Sequence, residues 1–235
     1  MLESREITKR FGRKTAVNNV SFRLEPGKVY AMLGPNGSGK TTWMKMAAGL
    51  VKPTCGTITY KGEPVGIDSR REIAYMSTEP YFYSWMSVKD VGRYYEDFFE
   101  DFSMERYQEL LRRMQLTEDM KTKTLSTGMM AKLKIAVTMA RRAKVYLLDE
   151  PLNGIDLLAR DEIMRSVVES ADEDVILLLS THLVDELEQV ADCAIFMKES
   201  NLIEMRDTEE LRMSEGKSIV DRYREIYGNG GMAEC

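Results

Sequence analysis

Nine consecutive residues, Gly34-Pro-Asn-Gly-Ser-Gly-Lys-Thr-Thr42, carry the spacing G-x-x-x-x-G-K-[ST], a pattern suited to wrapping a nucleotide's phosphates. Gly34, Gly37 and Gly39 lack a Cβ, so the backbone can curl and aim successive N–H groups at one anion. Pro35, Asn36, Ser38 and Thr42 complete the loop. Lys40 can reach the β- and γ-phosphates, and the Thr41 hydroxyl can bind Mg²⁺. A helix beginning at Lys40 adds unpaired N–H donors and the positive end of its dipole. The chemistry implied is the binding of a nucleoside triphosphate.

A second group turns binding toward hydrolysis. The apolar run Val145-Tyr-Leu-Leu148 ends in Asp149-Glu150-Pro151. A buried parallel strand would deliver both carboxylates to its C-terminal edge, where ligands sit in open α/β sheets. Asp149 is there placed to hold Mg²⁺, usually through water, and Glu150 to polarise an attacking water. An acidic strand end is common on its own; beside the phosphate loop the catalytic reading is favoured. A further run, Val175-Ile-Leu-Leu-Leu179, leads into Ser180-Thr-His182. His182 is the chain's only histidine. Lone histidines are more often surface or packed residues, but this one follows an apolar strand to the same edge. It can hydrogen-bond the γ-phosphate or the water.

These residues work together only if several strands end side by side. Val29–Leu33 reads as a buried strand before the loop, and Lys40–Ala48 as a helix stopped by Gly49. Val17–Leu24 and Thr57–Tyr60 are further strand signals, the latter after a turn at Pro53 and Gly56. Residues 79–141 read as mainly helical, with Met104, Tyr107, Leu110, Leu111 and Met114 at helical spacing. Residues 142–200 return to alternating strand and helix, which completes a mostly parallel sheet. A short helix over Ser218–Tyr227 is expected to stop at Gly228-Asn-Gly-Gly231.

Composition agrees and excludes. A chain of 235 residues can bury one substantial core, or a core with a smaller lobe. Lys and Arg number 33 against 38 Asp and Glu, and no basic stripe stands out, which argues against nucleic acid as a partner. Cys55, Cys193 and Cys235 form neither C-x-x-C nor an even set, as expected in a reducing compartment. The first residues do not read as a signal peptide. The longest apolar runs are strand-sized, so a membrane role is expected to come through a partner.

A fourth motif completes the pattern. Leu125-Ser-Thr-Gly-Met-Met-Ala-Lys-Leu-Lys134 places Ser126 23 residues before Asp149. It resembles the LSGGQ signature of ATP-binding-cassette (ABC) ATPases, which opens a helix at about this distance from the acidic pair. Ile7-Thr-Lys-Arg-Phe-Gly12 is similar to that family's adenine-stacking segment, with Phe11 the stacking ring. Thr78, within Tyr75-Met-Ser-Thr-Glu-Pro80, stands at the Q-loop position. Leu152-Asn-Gly-Ile-Asp156 resembles the D-loop, with Asp156 its carboxylate, and Thr181-His182 the H-switch. The resemblance covers about residues 3–210, and the order and spacing of the motifs are more specific than any one of them.

The resemblance implies an α/β fold: a P-loop NTPase core with a mostly parallel sheet, an N-terminal antiparallel β portion and an inserted helical lobe. Residues 1–78 and 142–210 would form the ATP-binding core, 79–141 the helical signature lobe, and 211–235 a C-terminal extension. The implied activity is hydrolysis of ATP with Mg²⁺, in the ATPase subunit of a transporter. Two cassettes, alike or different, would meet head to tail, with Ser126, Thr127 and Gly128 of one facing the phosphate loop of the other. A transmembrane permease subunit would be the second partner, held at the cytoplasmic face of the cell membrane. Size and the ending Ser-Thr-His-Leu-Val-Asp-Glu-Leu-Glu188 resemble bacterial exporters of peptides, antibiotics and drugs that keep a separate membrane subunit. The aromatic run Tyr81-Phe-Tyr-Ser-Trp85 falls where such a permease docks, although aromatic clusters are as often core.

The chain also departs from that pattern. Thr78 replaces the Q-loop glutamine, Thr127 replaces a signature glycine, and Met129 a glutamine. None removes a Mg²⁺ ligand or the base, so a competent but slow ATPase is expected, sped up by Thr78→Gln with Thr127→Gly. Two other classes stay in view. A soluble, non-transport cassette usually carries long insertions or basic extensions that are not visible here. A binding-only ATP switch is opposed by the intact Glu150 and His182.

Overall fold

The computed structural model describes residues 1–79, 81–171 and 173–228. In chain order the elements are β1 (Leu2–Phe11), β2 (Lys14–Leu24), β3 (Lys28–Leu33), α1 (Lys40–Ala47), β4 (Cys55–Tyr60), β5 (Glu63–Pro64) and β6 (Ile73–Met76). The helical lobe follows as α2 (Val88–Phe98), α3 (Met104–Arg113) and α4 (Thr127–Met139). The chain then continues through β7 (Val145–Asp149), α5 (Leu157–Ser170), β8 (Ile176–Thr181), β9 (Cys193–Lys198) and β10 (Asn201–Asp207) to α6 (Thr208–Glu215) and α7 (Ile219–Tyr227).

The strands form two sheets. One is antiparallel, in the order β2-β1-β4-β5; the other runs β10-β9-β3-β8-β7-β6, parallel except for its edge strand β10. The central strands are continuous apolar runs because both faces are covered, and alternate residues serve opposite cores. Ala31, Leu33, Tyr146, Leu148, Leu177 and Leu179 join a core shared with α2–α5 and α7. Tyr30, Met32, Val145, Leu147, Ile176 and Leu178 join a second core shared with α1 and the antiparallel sheet.

Local chemistry starts the lobe helices where the chain needs them. Ser87 and Asp90 cap the start of α2 reciprocally, Ser103 caps α3 and Ser126 caps α4, each hydroxyl accepting from a backbone N–H of the first turn. The methionines of this lobe fill space: Met114 and Met139 are buried in the first core, and Met104, Met120 and Met129 pack against it.

The elements differ from the sequence reading in several places. Strand β1 extends far beyond the Ile7–Gly12 segment, and its alternation is broken by register shifts against β2, which hide the period of two. The hairpin of β9 and β10 and the helix α6, which begins at Asp207's cap, were not anticipated. Helix α7 falls where Ser218–Tyr227 predicts it, but it is no loose tail. Ile219 is fully buried, and the Tyr227 hydroxyl donates to the carbonyls of Met197 at 2.8 Å and Leu33 at 3.3 Å. Gly228 ends α7 with right-handed backbone, φ −70°, while positions 229–231, Pro80 and Cys235 lie outside the described residues. Among the described residues no helix is long and apolar enough to cross a membrane.

Candidate active site

Strand register builds the site. Leu33 ends β3 opposite Thr181, Asp149 ends β7 opposite Ser180, and Met76 ends β6 opposite Leu148. Three connecting segments therefore leave the sheet side by side: the loop from Gly34, the Glu150 turn and the His182 turn. A cleft of about 370 Å³ opens there, lined by residues 36–42 of the loop with Thr78, Glu150, Asn153, His182, Lys14 and Ala16. A side chain is sterically barred at two loop positions. A Cβ on Gly34, at φ 151°, would lie 2.2 Å from the Met197 carbonyl oxygen, and one on Gly39, at φ 107°, 2.5 Å from that of Ala16.

The loop is furnished for an anion. Helix α1 starts directly at Lys40, with no side chain capping its first turn, so its N–H groups are free for a ligand. The Ser38 hydroxyl is buried and has no hydrogen-bond partner among the described residues. Lys40 is buried; its ammonium donates to the carbonyls of Gly34 at 2.6 Å and Pro35 at 3.3 Å and stands 3.9 Å from Glu150 Oε1. Burial pulls its pKa below the ordinary lysine value, against the opposing pull of Glu150 and Asp149.

The acidic pair is divided by its environments. Asp149 is fully buried and accepts from Ser180 Oγ at 2.6 Å, Thr41 Oγ1 at 3.1 Å and the Tyr75 hydroxyl at 3.3 Å. Glu150 instead turns outward with φ 49°, a left-handed conformation that costs a non-glycine residue about 1–2 kcal/mol. Its N–H is held by Ser180, by the carbonyl oxygen at 3.1 Å and the hydroxyl at 3.1 Å. The turn aims the carboxylate into the cleft, where Oε2 lies 2.8 Å from His182 Nδ1. A carboxylate fixed between an imidazole and an ammonium can order a water for in-line attack on a phosphate in the loop.

The remaining sequence candidates are spread around this centre. Phe11 ends β1 and is 52% exposed, with Lys9 Nζ 4.9 Å from its ring centroid. Ser126 and Thr127 are exposed at the start of α4, lining a second hollow of about 300 Å³ that shares Thr78, Glu150 and Asn153 with the first. Gly128 packs closely: a Cβ there would lie 2.7 Å from the Gly154 carbonyl oxygen. Asp156 is exposed before α5 and makes no capping hydrogen bond. Sequence reasoning missed Lys14, Asn153, Ser180 and Tyr75. Ser180 alone had a usable signal, a polar residue ending an apolar strand at the same edge.

A family model described as ABC transporter matches residues 17–153, more than half of the chain. The chain belongs to the ABC transporter family. It is an ATP-binding subunit with an ATPase cassette, as the motif resemblance implies. Similar curated proteins include the lantibiotic transport ATP-binding protein SrtF of Streptococcus pyogenes, 34% identical over 86% of this chain and 89% of the relative. The Nod factor export ATP-binding protein I of Burkholderia lata is 32% identical over 97% of this chain and 76% of the relative. Among solved structures, an ATP-binding subunit of an ABC transporter superposes with a TM-score of 0.84 at 25% identity, covering 96% of this chain and 99% of that one. The cassette MJ0796, dimeric in a post-hydrolysis state with ADP and Pi, matches the fold with a TM-score of 0.78 at 21% identity over 88% of this chain and 98% of that one.

Proposed function

We propose that this cassette binds ATP with Mg²⁺ at the strand edge and hydrolyses it as half of a head-to-tail dimer that drives a transmembrane permease subunit. The observation that carries the reading is the convergence of residues 36–42, Glu150 and His182 on one cleft, with buried Asp149 joined to it through Thr41 at the adjacent strand end. Phe11 stacks on adenine. Loop N–H groups and Lys40 hold the phosphates, and Ser38 finds there the partner it lacks. Glu150 takes the proton of the attacking water, and His182 orients that carboxylate and the γ-phosphate.

Thr41 Oγ1 and Asp149 Oδ1 are oxygen donors 3.1 Å apart, and no group of three or more His, Cys, Asp or Glu gathers among the described residues. That sparse set of hard donors fits Mg²⁺, which keeps several waters and takes phosphate oxygens. Held by Thr41 and Asp149, the ion would supply positive charge to offset that of the phosphates. Ser126, Thr127 and Gly128 face the partner cassette's nucleotide, with Asp156 beside them, and residues 79–141 form the lobe that carries them. Through the permease the cassette sits at the cytoplasmic face of the cell membrane. Two relatives are named for lantibiotic transport and Nod factor export, which favours an exporter.

Mixed lesions test the dimer. Lys40→Ala and Ser126→Arg chains should each be inactive alone and recover part of the ATPase activity when mixed, because one composite site then carries both lesions and the other neither. Recovery of none, with both chains folded and able to pair, would overturn the shared site. ATP with Mg²⁺ should promote dimerisation and ADP should not.

A further inference from the structure

Lys134 is a buried cation that the catalytic reading leaves unused. It lies on α4, is 5% exposed, and its ammonium donates to three consecutive carbonyls: Ser77 at 3.1 Å, Thr78 at 2.8 Å and Glu79 at 2.8 Å. The Tyr81 ring covers it, with a centroid 5.2 Å from Nζ. An ammonium has three donors, and here each meets a carbonyl of one short segment. Among the described residues no other side chain is seen to hydrogen-bond those carbonyls. Thr78, in the middle of that segment, lines both the nucleotide cleft and the hollow beside Ser126. Ser126 caps the same helix eight residues earlier, about 12 Å along its axis at 1.5 Å per residue. One rigid helix therefore joins the signature at one end to residues 77–79 near the other.

We propose that Lys134 is the positioning residue that ties the Thr78 segment to the signature helix, so that nucleotide in a chain's own loop is felt at its own Ser126. The link runs from the helix to backbone carbonyls and does not need a long side chain at position 78. This inference rests on the nucleotide reading above. Burial lowers the lysine's pKa, with the Glu79 carboxylate pulling the other way.

Amide hydrogen exchange on the monomeric full chain, with and without ATP and Mg²⁺, reads the link directly. In the parent, nucleotide should slow exchange in residues 34–42 and also alter it in 127–130. Lys134→Met should keep the response of 34–42, lose that of 127–130, and speed basal exchange in 77–79 by at least about tenfold. Lys134→Arg, which keeps charge and several donors, should restore part of the distant response. A merely structural lysine would leave the distant response in place well below the melting temperature, and that result overturns the proposal. If Lys134→Met does not fold, Lys134→Gln takes its place with the same outcomes. Absence of any response of 34–42 in the parent would instead overturn the nucleotide reading, and this inference with it.

Discussion

His182 Nδ1 lies 2.8 Å from Glu150 Oε2, while Glu150 Oε1 stands 3.9 Å from Lys40 Nζ. The carboxylate is thus held from both sides on a backbone that itself sits at φ 49°. A group so constrained is suited to orienting a water and poorly explained as a surface charge. Glu150→Gln keeps the shape and removes the basicity. Steady-state phosphate release should fall about 10²–10⁴-fold, the usual worth of a general base, while ATP binding is retained and the ATP-bound dimer accumulates. Turnover at the parent rate would show that the base lies elsewhere.

Ser180→Ala probes the support of the acidic pair. It removes the 2.6 Å hydrogen bond to Asp149 Oδ1 and one acceptor for the Glu150 N–H. Groups that orient a metal ligand typically matter about 10–100-fold in affinity, so the Mg²⁺ concentration giving half-maximal ATPase activity should rise by that order. An unchanged Mg²⁺ dependence would mean that Thr41 and Tyr75 hold Asp149 well enough alone.

The start of α4 and the turn at Gly154 interlock through small residues. A Cβ on Gly128 would meet the Gly154 carbonyl oxygen at 2.7 Å, and one on Gly154 would meet Thr127 Cγ2 at 2.6 Å. Gly128→Ala should therefore displace the start of α4 and abolish ATP-dependent dimerisation in light scattering, with nucleotide binding by the monomer kept. The same geometry revises an expectation drawn from family resemblance. Thr127→Gly removes a methyl packed on Gly154 and places glycine at the first position of a helix. We expect a small loss of stability and no gain in turnover. A rise in ATPase rate with Thr127→Gly alone would refute this revision.

Arg141 locks the helical lobe to the sheet. It is buried, bonds both oxygens of Asp101 at 3.0 and 3.2 Å, and donates to the carbonyls of Ile73, Arg70 and Arg71 at 3.3, 3.1 and 2.9 Å. Removing one partner of a buried pair usually costs about 3–5 kcal/mol. Arg141→Met should lower urea-unfolding stability by that order, and Asp101→Asn in the same chain should recover part of the loss. A change below about 1 kcal/mol would show that the pair contributes little beyond a surface bridge.

How much of this was legible beforehand follows from the range of the interactions involved. The phosphate loop is a local object. Its glycines, the lysine and the start of the following helix lie within nine residues, so composition and spacing were sufficient to name its chemistry. The strands ending in Asp149 and Ser180-Thr-His182 were legible for a related reason, since burial on both faces demands an uninterrupted apolar run. Spacing between motifs likewise carried the family.

What the tertiary structure decided is which of these ends meet and what stands behind them. The pairing of Asp149 with Ser180, and the reach of Tyr75 to the same carboxylate, depend on strands far apart in the chain falling into one register. Lys134 reads in sequence as one more charge on a helix, because nothing local says that its ammonium will meet the carbonyls of residues 77–79. Helix α7 shows the same limit. Its place in the chain was legible, but the anchoring of Tyr227 on Leu33 and Met197 beside the phosphate loop was not. Local propensity and patterning are written residue by residue, whereas register and burial of single polar groups are settled only when the whole core closes.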